Sequence, residues 1–247
     1  MKMGFVDRNA ILLSLPQKEA DALRVLAYPV PLPVGKVLED PQRPIKDVWF
    51  IDQGVACSFV EARSVGRAGI GLVGPEGFIG VSLLDGSVHA ATKVVVQVPG
   101  EGLRVDAADF LHILRRFPTL EVSCRDYRRN AFLQAAGTAL ANARGHIEHR
   151  VARWLLMLDD RLGQRHIDIT HECLAAMLGV RRPGVTGALH VLEGTGVIRS
   201  TRGHVQILDR EGLEAAARGF YGSNERLEPP EEAKSLVELG TRQVRRG

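Results

Sequence analysis

The stretch MLGVRRPGVTGALHVL, residues 177–192, decides how this chain is read. Leu178, Val185, Leu189 and Leu192 recur with helical spacing, yet Gly179, Pro183, Gly184 and Gly187 are poor helix formers and Arg181 and Arg182 interrupt the pattern with two charges. Two helix ends with a turn between them resolve the conflict. Upstream, Thr170 can cap a short helix whose first turn holds Glu172, an acid at the positive end of the helix dipole, and whose buried face is Leu174, Met177 and Leu178. Ala175, Gly179 and Val185 follow at spacings of 4 and 6. Helices that cross steeply through a tight turn need a small residue at their contact, a glycine in the turn and a branched apolar anchor on the second helix. These three positions supply them in register. The second helix then starts at Arg181 or Arg182, with Pro183 in its first turn, where no intrahelical N–H donor is required.

That arrangement is a helix-turn-helix, and its Arg pair lies at the end of the second helix that meets base edges in the DNA major groove. An Arg can bond both O6 and N7 of guanine, so one of the pair is expected to specify sequence while the other holds phosphate. Thr170, His171, Thr186 and His190 complete the set expected at the DNA on these two helices. Downstream, GVIRSTRGHVQILD (196–209) gives two short β runs around an Arg-Gly turn, a hairpin wing from which Arg199, Arg202 and His204 would face backbone phosphates. Surface arginines alone would suggest only a solvated helix end. Between residues 180 and 204, however, four arginines stand against the single acid Glu193, inside a chain whose overall formal charge is only +3.

Outward from this unit, IEHRVARWLLMLDDRL (147–162) is an amphipathic helix with Val151, Trp154, Leu155 and Leu158 inward. From Thr119 to about Ala143 runs a longer helical segment without proline, in which Leu120, Cys124, Tyr127 and Ala131 are spaced 4, 3 and 4. This is the seam of a helix that packs on a partner helix, and it predicts self-association, the alternative being a helix packed only on its own domain. The seam weakens where Gln134 and Thr138 take the next positions. Before it, DAADFLHILRRF (106–117) opens with Asp106 as N-cap, carries Phe110, Ile113, Leu114 and Phe117 on one face, and stops at Pro118. The first third, past a helical opening at 7–26, holds β-rich runs at 48–51, 55–60, 68–73 and 91–98 between Gly, Pro and Asp turns, the cadence of an antiparallel barrel or roll. Past Tyr221 the tail is charged, carries Pro229 and Pro230, and is expected to be mobile.

A chain of 247 residues with 45% apolar and 25% charged content is a globular composition. No apolar run approaches the roughly 20 residues that span a bilayer, and the start lacks a signal-peptide cleavage pattern, so a cytoplasmic place without membrane association is expected. Cys57, Cys124 and Cys173 lie far apart and form no metal spacing; they read as reduced thiols, with no metal site. GIGLVG (69–74) fits a dinucleotide-binding pattern, but Pro75 stands where a helix should begin, so it reads as a strand leading into a turn.

The pieces VWFIDQGV (48–55), LVGPEGFIGVSLL (72–84), IEHRVARWLLMLDDR (147–161), ITHECLAAMLGVRR (169–182) and GVIRSTRGHVQILDREGLEAAA (196–217) together resemble the Crp/Fnr family of bacterial transcription regulators over nearly the whole chain. The resemblance implies an α+β protein: an N-terminal antiparallel β-roll of the cyclic-nucleotide-binding type (1–117), a dimerisation helix (118–145), a C-terminal winged helix-turn-helix (146–221) and the tail (222–247). It implies a homodimer on double-stranded DNA, with RNA polymerase as a further partner, and no enzyme activity. The family's base-reading arginine falls on Arg182, whereas an acidic base reader falls on Pro183 and a second arginine on Gly187, so the cognate DNA is expected to differ.

Nucleotide-binding members use a Glu for the ribose and an Arg for the cyclic phosphate; here those positions fall on Val81 and His89, within an effector region that also includes Ser82, Ala90 and Thr92. Valine accepts no hydrogen bond and neutral histidine offers no bidentate fork, so cyclic nucleotide binding by the usual mode is not expected, and no cofactor is assigned. Four clustered cysteines for an iron-sulfur centre are absent, and His89 and His112 read as structural rather than as haem ligands. The competing class is a small-molecule-binding module that acts on a protein partner and uses the helix-turn-helix for protein contact alone.

Overall fold

The computed structural model describes residues 8–222, so the expected mobile tail lies, beyond Gly222, outside the described residues. The helical opening is two helices, α1 (Ala10–Ser14) and α2 (Gln17–Leu26), separated at Pro16. Asn9 caps α1 by accepting from the Ile11 and Leu12 amides.

An antiparallel sheet follows, with order β1 (Ala27–Leu32), β6 (Lys93–Asp106), β3 (Asp47–Ala62), β4 (Gly66–Val73); β2 (Val37–Glu39) pairs with β6 and β5 (Phe78–Ile79) with β3. The runs at 48–51 and 55–60 are one strand, β3, whose register shifts around Gln53. Gly100 on the neighbouring strand makes that shift possible: a Cβ there would lie 1.9 Å from the Gln53 carbonyl oxygen. Among the described residues strand β1 lies at the sheet edge, paired with β6 alone, and this position tolerates Pro29 and Pro31.

Asp106 caps α3 (Ala107–Arg116) through the Ala108 amide, as expected. Pro118 both stops α3 and opens α4 (Pro118–Arg144), in whose first turn its missing N–H costs nothing. Helix α5 (Ile147–Leu162), β7 (His166–Asp168), α6 (His171–Leu178), α7 (Arg182–Gly194), β8 (Ile198–Thr201), β9 (His204–Ile207) and α8 (Arg210–Ala216) complete the chain. Val151, Trp154, Leu155 and Leu158 are buried, but so are Arg153, Asp159 and Arg161, because α5 is enclosed on nearly all sides.

The expected dimer seam is corrected here. Leu120, Cys124 and Tyr127 are buried in the core of their own β-roll, with Ala131 packed against it. The stripe continues through Gln134, Thr138 and Ala141, also buried within the same chain. Its polar members have partners inside: the Gln134 side chain accepts from the Leu72 amide, and Arg153 of α5 donates to Thr138 Oγ1 at 3.0 Å and to the Gln134 carbonyl at 3.2 Å. A heptad stripe shows that a helix packs against something, not what it packs against. The opposite face of α4 is the open one: Phe132 is 72% and Leu140 56% exposed, and Ala136, Ala139 and Ala143 are exposed beside them.

Two cores result. One fills the roll with α1–α4; the other joins α5–α8 and the C-terminal strands to Val55, Cys57, Phe59, Leu72, Val95 and Val98 on the sheet's second face. The seam between the halves is tied by Arg161, whose Nε lies 2.8 Å from Glu76 with both side chains almost fully buried. Cys173 Sγ also donates across it to Gln97 at 2.9 Å.

Glu39 of β2 turns a carboxyl oxygen inward: Oε1 is buried without a hydrogen-bond partner, and burial raises the pKa from 4.5 to about 7. Between those values the folded state holds a proton that the unfolded state has lost, so stability falls as pH rises through that window and stays lower above it. Glu39→Gln should therefore raise the melting temperature at pH 8, by stability on the order of 2 kcal/mol, and leave it little changed at pH 4. An equal shift at both pH values would show that shape, not charge, is responsible.

Candidate nucleic-acid interface

Thr170 caps α6, its hydroxyl accepting from the Cys173 amide at 3.1 Å. Gly179 ends that helix in the left-handed region (φ +65°), and its lack of a Cβ also lets the turn lie on Ala68 of β4, where a side chain would come within 2.8 Å. Arg181 is the N-cap of α7, Arg182 its first residue, and Pro183 sits in the first turn. Val185, Ala188, Leu189 and Leu192 anchor α7 to the core, which turns Arg181, Arg182, Gly187 and His190 outward to solvent. The expected helix-turn-helix geometry is thus present residue by residue.

Strands β8 and β9 form the hairpin around Arg202 and Gly203, and β7, which hydropathy alone does not reveal, adds a third strand beside β9. Arg199 and Arg202 are exposed. His204 is corrected as a free phosphate contact: its Nδ1 lies 2.6 Å from Asp168 Oδ1, and a carboxylate there repels phosphate.

Inside the surface lies a connection that residue spacing gave no signal for. His171 Nδ1 is 2.9 Å from Thr186 Oγ1 on α7, and its Nε2 is 3.3 Å from Ser200 Oγ on β8. Glu193 of α7 accepts from the Ser200 amide at 3.0 Å. Burial, reinforced by Arg182 and His190, lowers the His171 pKa below its ordinary value and keeps the ring neutral at pH 7. Thr186, expected to face bases, has its hydroxyl turned to this ring.

In the β-roll, Val81 and Ser82 open a 3-10 turn (Val81–Asp85), and Ser82 Oγ accepts from the Ala91 amide at 3.2 Å. Thr92 is half-buried, Ala90 is buried, and His89 is exposed, paired through its backbone with Pro44. Just before this turn, Tyr127 of α4 packs on the chain: its ring lies tilted against Phe78, centroids 5.5 Å apart, and a Cβ on Gly77 would lie 2.0 Å from it. Two surface recesses in the roll, about 320 and about 270 Å³, are lined by other residues. Among the described residues, no His, Cys, Asp and Glu cluster could hold a metal ion, and no helix is long and apolar enough to cross a membrane.

A sensor-type β-roll carrying a winged helix-turn-helix with a basic, solvent-facing helix start defines a DNA-binding transcription regulator. Residues 149–216 match the Crp-like helix-turn-helix domain model. The chain is 31% identical over 156 residues to the cyclic AMP receptor protein of Thermus thermophilus, spanning 61% of this chain and 70% of that protein. Its fold is that of FixK2 from Bradyrhizobium japonicum (TM-score 0.67, 16% identity, 80% of this chain and 98% of that one). It is also that of the c-di-GMP responsive global regulator CLP of Xanthomonas campestris (TM-score 0.65, 14% identity, 84% and 100%). This chain belongs to the Crp/Fnr family and is a transcription regulator rather than an enzyme. That membership does not favour a module acting only on a protein partner.

Proposed function

We propose that this regulator acts as a homodimer, reads bases through Arg182, holds phosphates with Arg181, Arg199 and Arg202, and binds no cyclic nucleotide in the usual mode. The observation that carries the reading is the exposed start of α7, where two guanidiniums stand on a helix fixed from behind by Val185 and Leu189. The second copy would lie on the open α4 face, where Phe132, Ala136, Ala139 and Ala143 repeat at 4, 3 and 4 and the alanines allow close helix approach. Against the usual nucleotide mode stand Val81 and His89 at the recognition positions, neither of which offers the hydrogen bonds that the ribose and the cyclic phosphate need. Membership of the family supports RNA polymerase as a partner and the cytoplasm as the place of action.

A signal in the roll would act by shifting α4 and α5 together, since Arg153 of α5 donates to Thr138 and Gln134 of α4, Gln134 accepts from Leu72 of β4, and Arg161 of α5 binds Glu76 in the turn after β4. Two mutants test the interface. Arg182→Ala should relax base preference at one position of each half-site at a cost of about 1–3 kcal/mol, whereas Arg202→Ala should weaken binding to every duplex alike and flatten its salt dependence by about one counterion. Uniform loss on all sequences for both mutants, measured by fluorescence anisotropy, would remove the base-reading role of Arg182.

A further inference from the structure

We propose that His171 is the positioning residue of the DNA interface and takes up a proton when duplex binds, so that affinity for DNA is coupled to pH. The inference rests on the interface assigned above. One imidazole joins all three elements of that interface: it sits at the start of α6, bonds Thr186 of α7 through Nδ1 and Ser200 of β8 through Nε2. A neutral imidazole has one N–H and one lone pair, so it donates to one hydroxyl and must accept the hydrogen of the other. Protonated, it donates to both. The hydroxyl hydrogen that the lone pair had held is then freed, so that both hydroxyls can donate elsewhere, and the ring adds a positive charge at a helix start where phosphate is favoured.

In the free protein the charged form is held back. Burial desolvates the ring, the positive charge of Arg182 and the ring of His190 on α7 disfavour its protonation, and Arg199 stands one residue from Ser200 on β8. The acids nearby are Glu172 on α6 and Glu193 on α7, and Glu193 is engaged with the Ser200 amide. A phosphate arriving at the surface supplies the missing anion, neutralises Arg182 and favours the imidazolium. The bound state therefore holds one more proton than the free state. Linkage then requires affinity to rise as pH falls below the bound-state pKa of His171 and to level off below its free-state value, which lies under 6.5.

Because the effect concerns phosphates, a labelled random-sequence duplex of about 30 base pairs at low salt is a sufficient probe for the full chain. Anisotropy titrations from pH 8 to 5.5 should show wild-type affinity rising with a slope that approaches, and does not exceed, tenfold per pH unit. His171→Gln keeps a donor and an acceptor but cannot be charged; it should lose most of that slope. His171→Arg carries the charge permanently and should bind at pH 8 about as tightly as the wild type does at low pH. His112→Gln, exposed on α3 of the roll, should keep the wild-type slope. An unchanged slope in His171→Gln, or His171→Arg no tighter than His171→Gln at pH 8, would overturn the proposal. Failure of the wild type to bind duplex at any pH would instead overturn the interface itself.

Discussion

Arg161→Ala is expected to cost this protein about 3–5 kcal/mol of stability, because it leaves the Glu76 carboxylate buried without its partner. The Arg161 side chain is 3% exposed and that of Glu76 8%, so water cannot replace the lost contact. Arg161 also donates to the Met157 carbonyl at 2.8 Å, and Glu76 accepts from the Gly74 amide, so the pair fixes the α5 backbone to the turn that leads into β5. In a chain of this size the loss lowers the melting temperature on the order of 10 °C. The double change Glu76→Leu with Arg161→Met should recover most of it, since apolar pairs of similar volume often replace buried ion pairs without loss. Arg161→Ala within 1 kcal/mol of the wild type would show that the seam between the halves opens to solvent. The pair matters for function because the same turn holds Gly77, on which Tyr127 of α4 rests. Sheet, α4 and α5 therefore shift as one body.

If the proposed dimer forms on the open α4 face, Phe132→Asp should convert it to a monomer. Phe132 is 72% exposed in the single chain, so the substitution leaves the protomer's own core untouched. In a two-fold interface each substitution counts twice; an aromatic anchor contributes about 2 kcal/mol or more per copy, and a buried unpaired carboxylate adds to the loss. Dimer affinity should fall by about three orders of magnitude. Light scattering at micromolar protein should then move from twice the chain mass of 27.0 kDa to once that mass, with an unchanged melting profile of the protomer. Tyr127→Phe, on the buried stripe, should leave the mass unchanged. The opposite pattern would restore the 120–131 stripe as the dimer seam.

How much of this was legible in residue order depends on whether a local rule governs the feature. The 177–192 turn was fully legible, because a left-handed glycine, a first-turn proline and a capping threonine each act within a few residues of themselves. The strands were harder. Strand β1 carries two prolines that only an edge position excuses, and EGLRVD (101–106) reads as polar although it ends β6, because the burial of Leu103 and Val105 comes from β3 across the sheet. Residue order misleads most at the 120–131 stripe. Heptad spacing was real along 120–141, but which neighbour covers a stripe is settled by tertiary packing, and the roll covers this one. Likewise nothing in sequence spacing links residues 171, 186 and 200; they meet only because the helix-turn-helix and the hairpin fold against each other.

The claim that α7 reads DNA as part of a two-fold dimer is tested most directly by selecting duplexes from a randomised library with the full-length protein and sequencing those retained. The account predicts an inverted repeat whose half-sites lie about one helical turn, roughly 34 Å, apart, each with a guanine whose preference disappears when the selection is repeated with Arg182→Ala. Retained duplexes without a shared repeat, or the same repeat with an undiminished guanine in the Arg182→Ala selection, would contradict it.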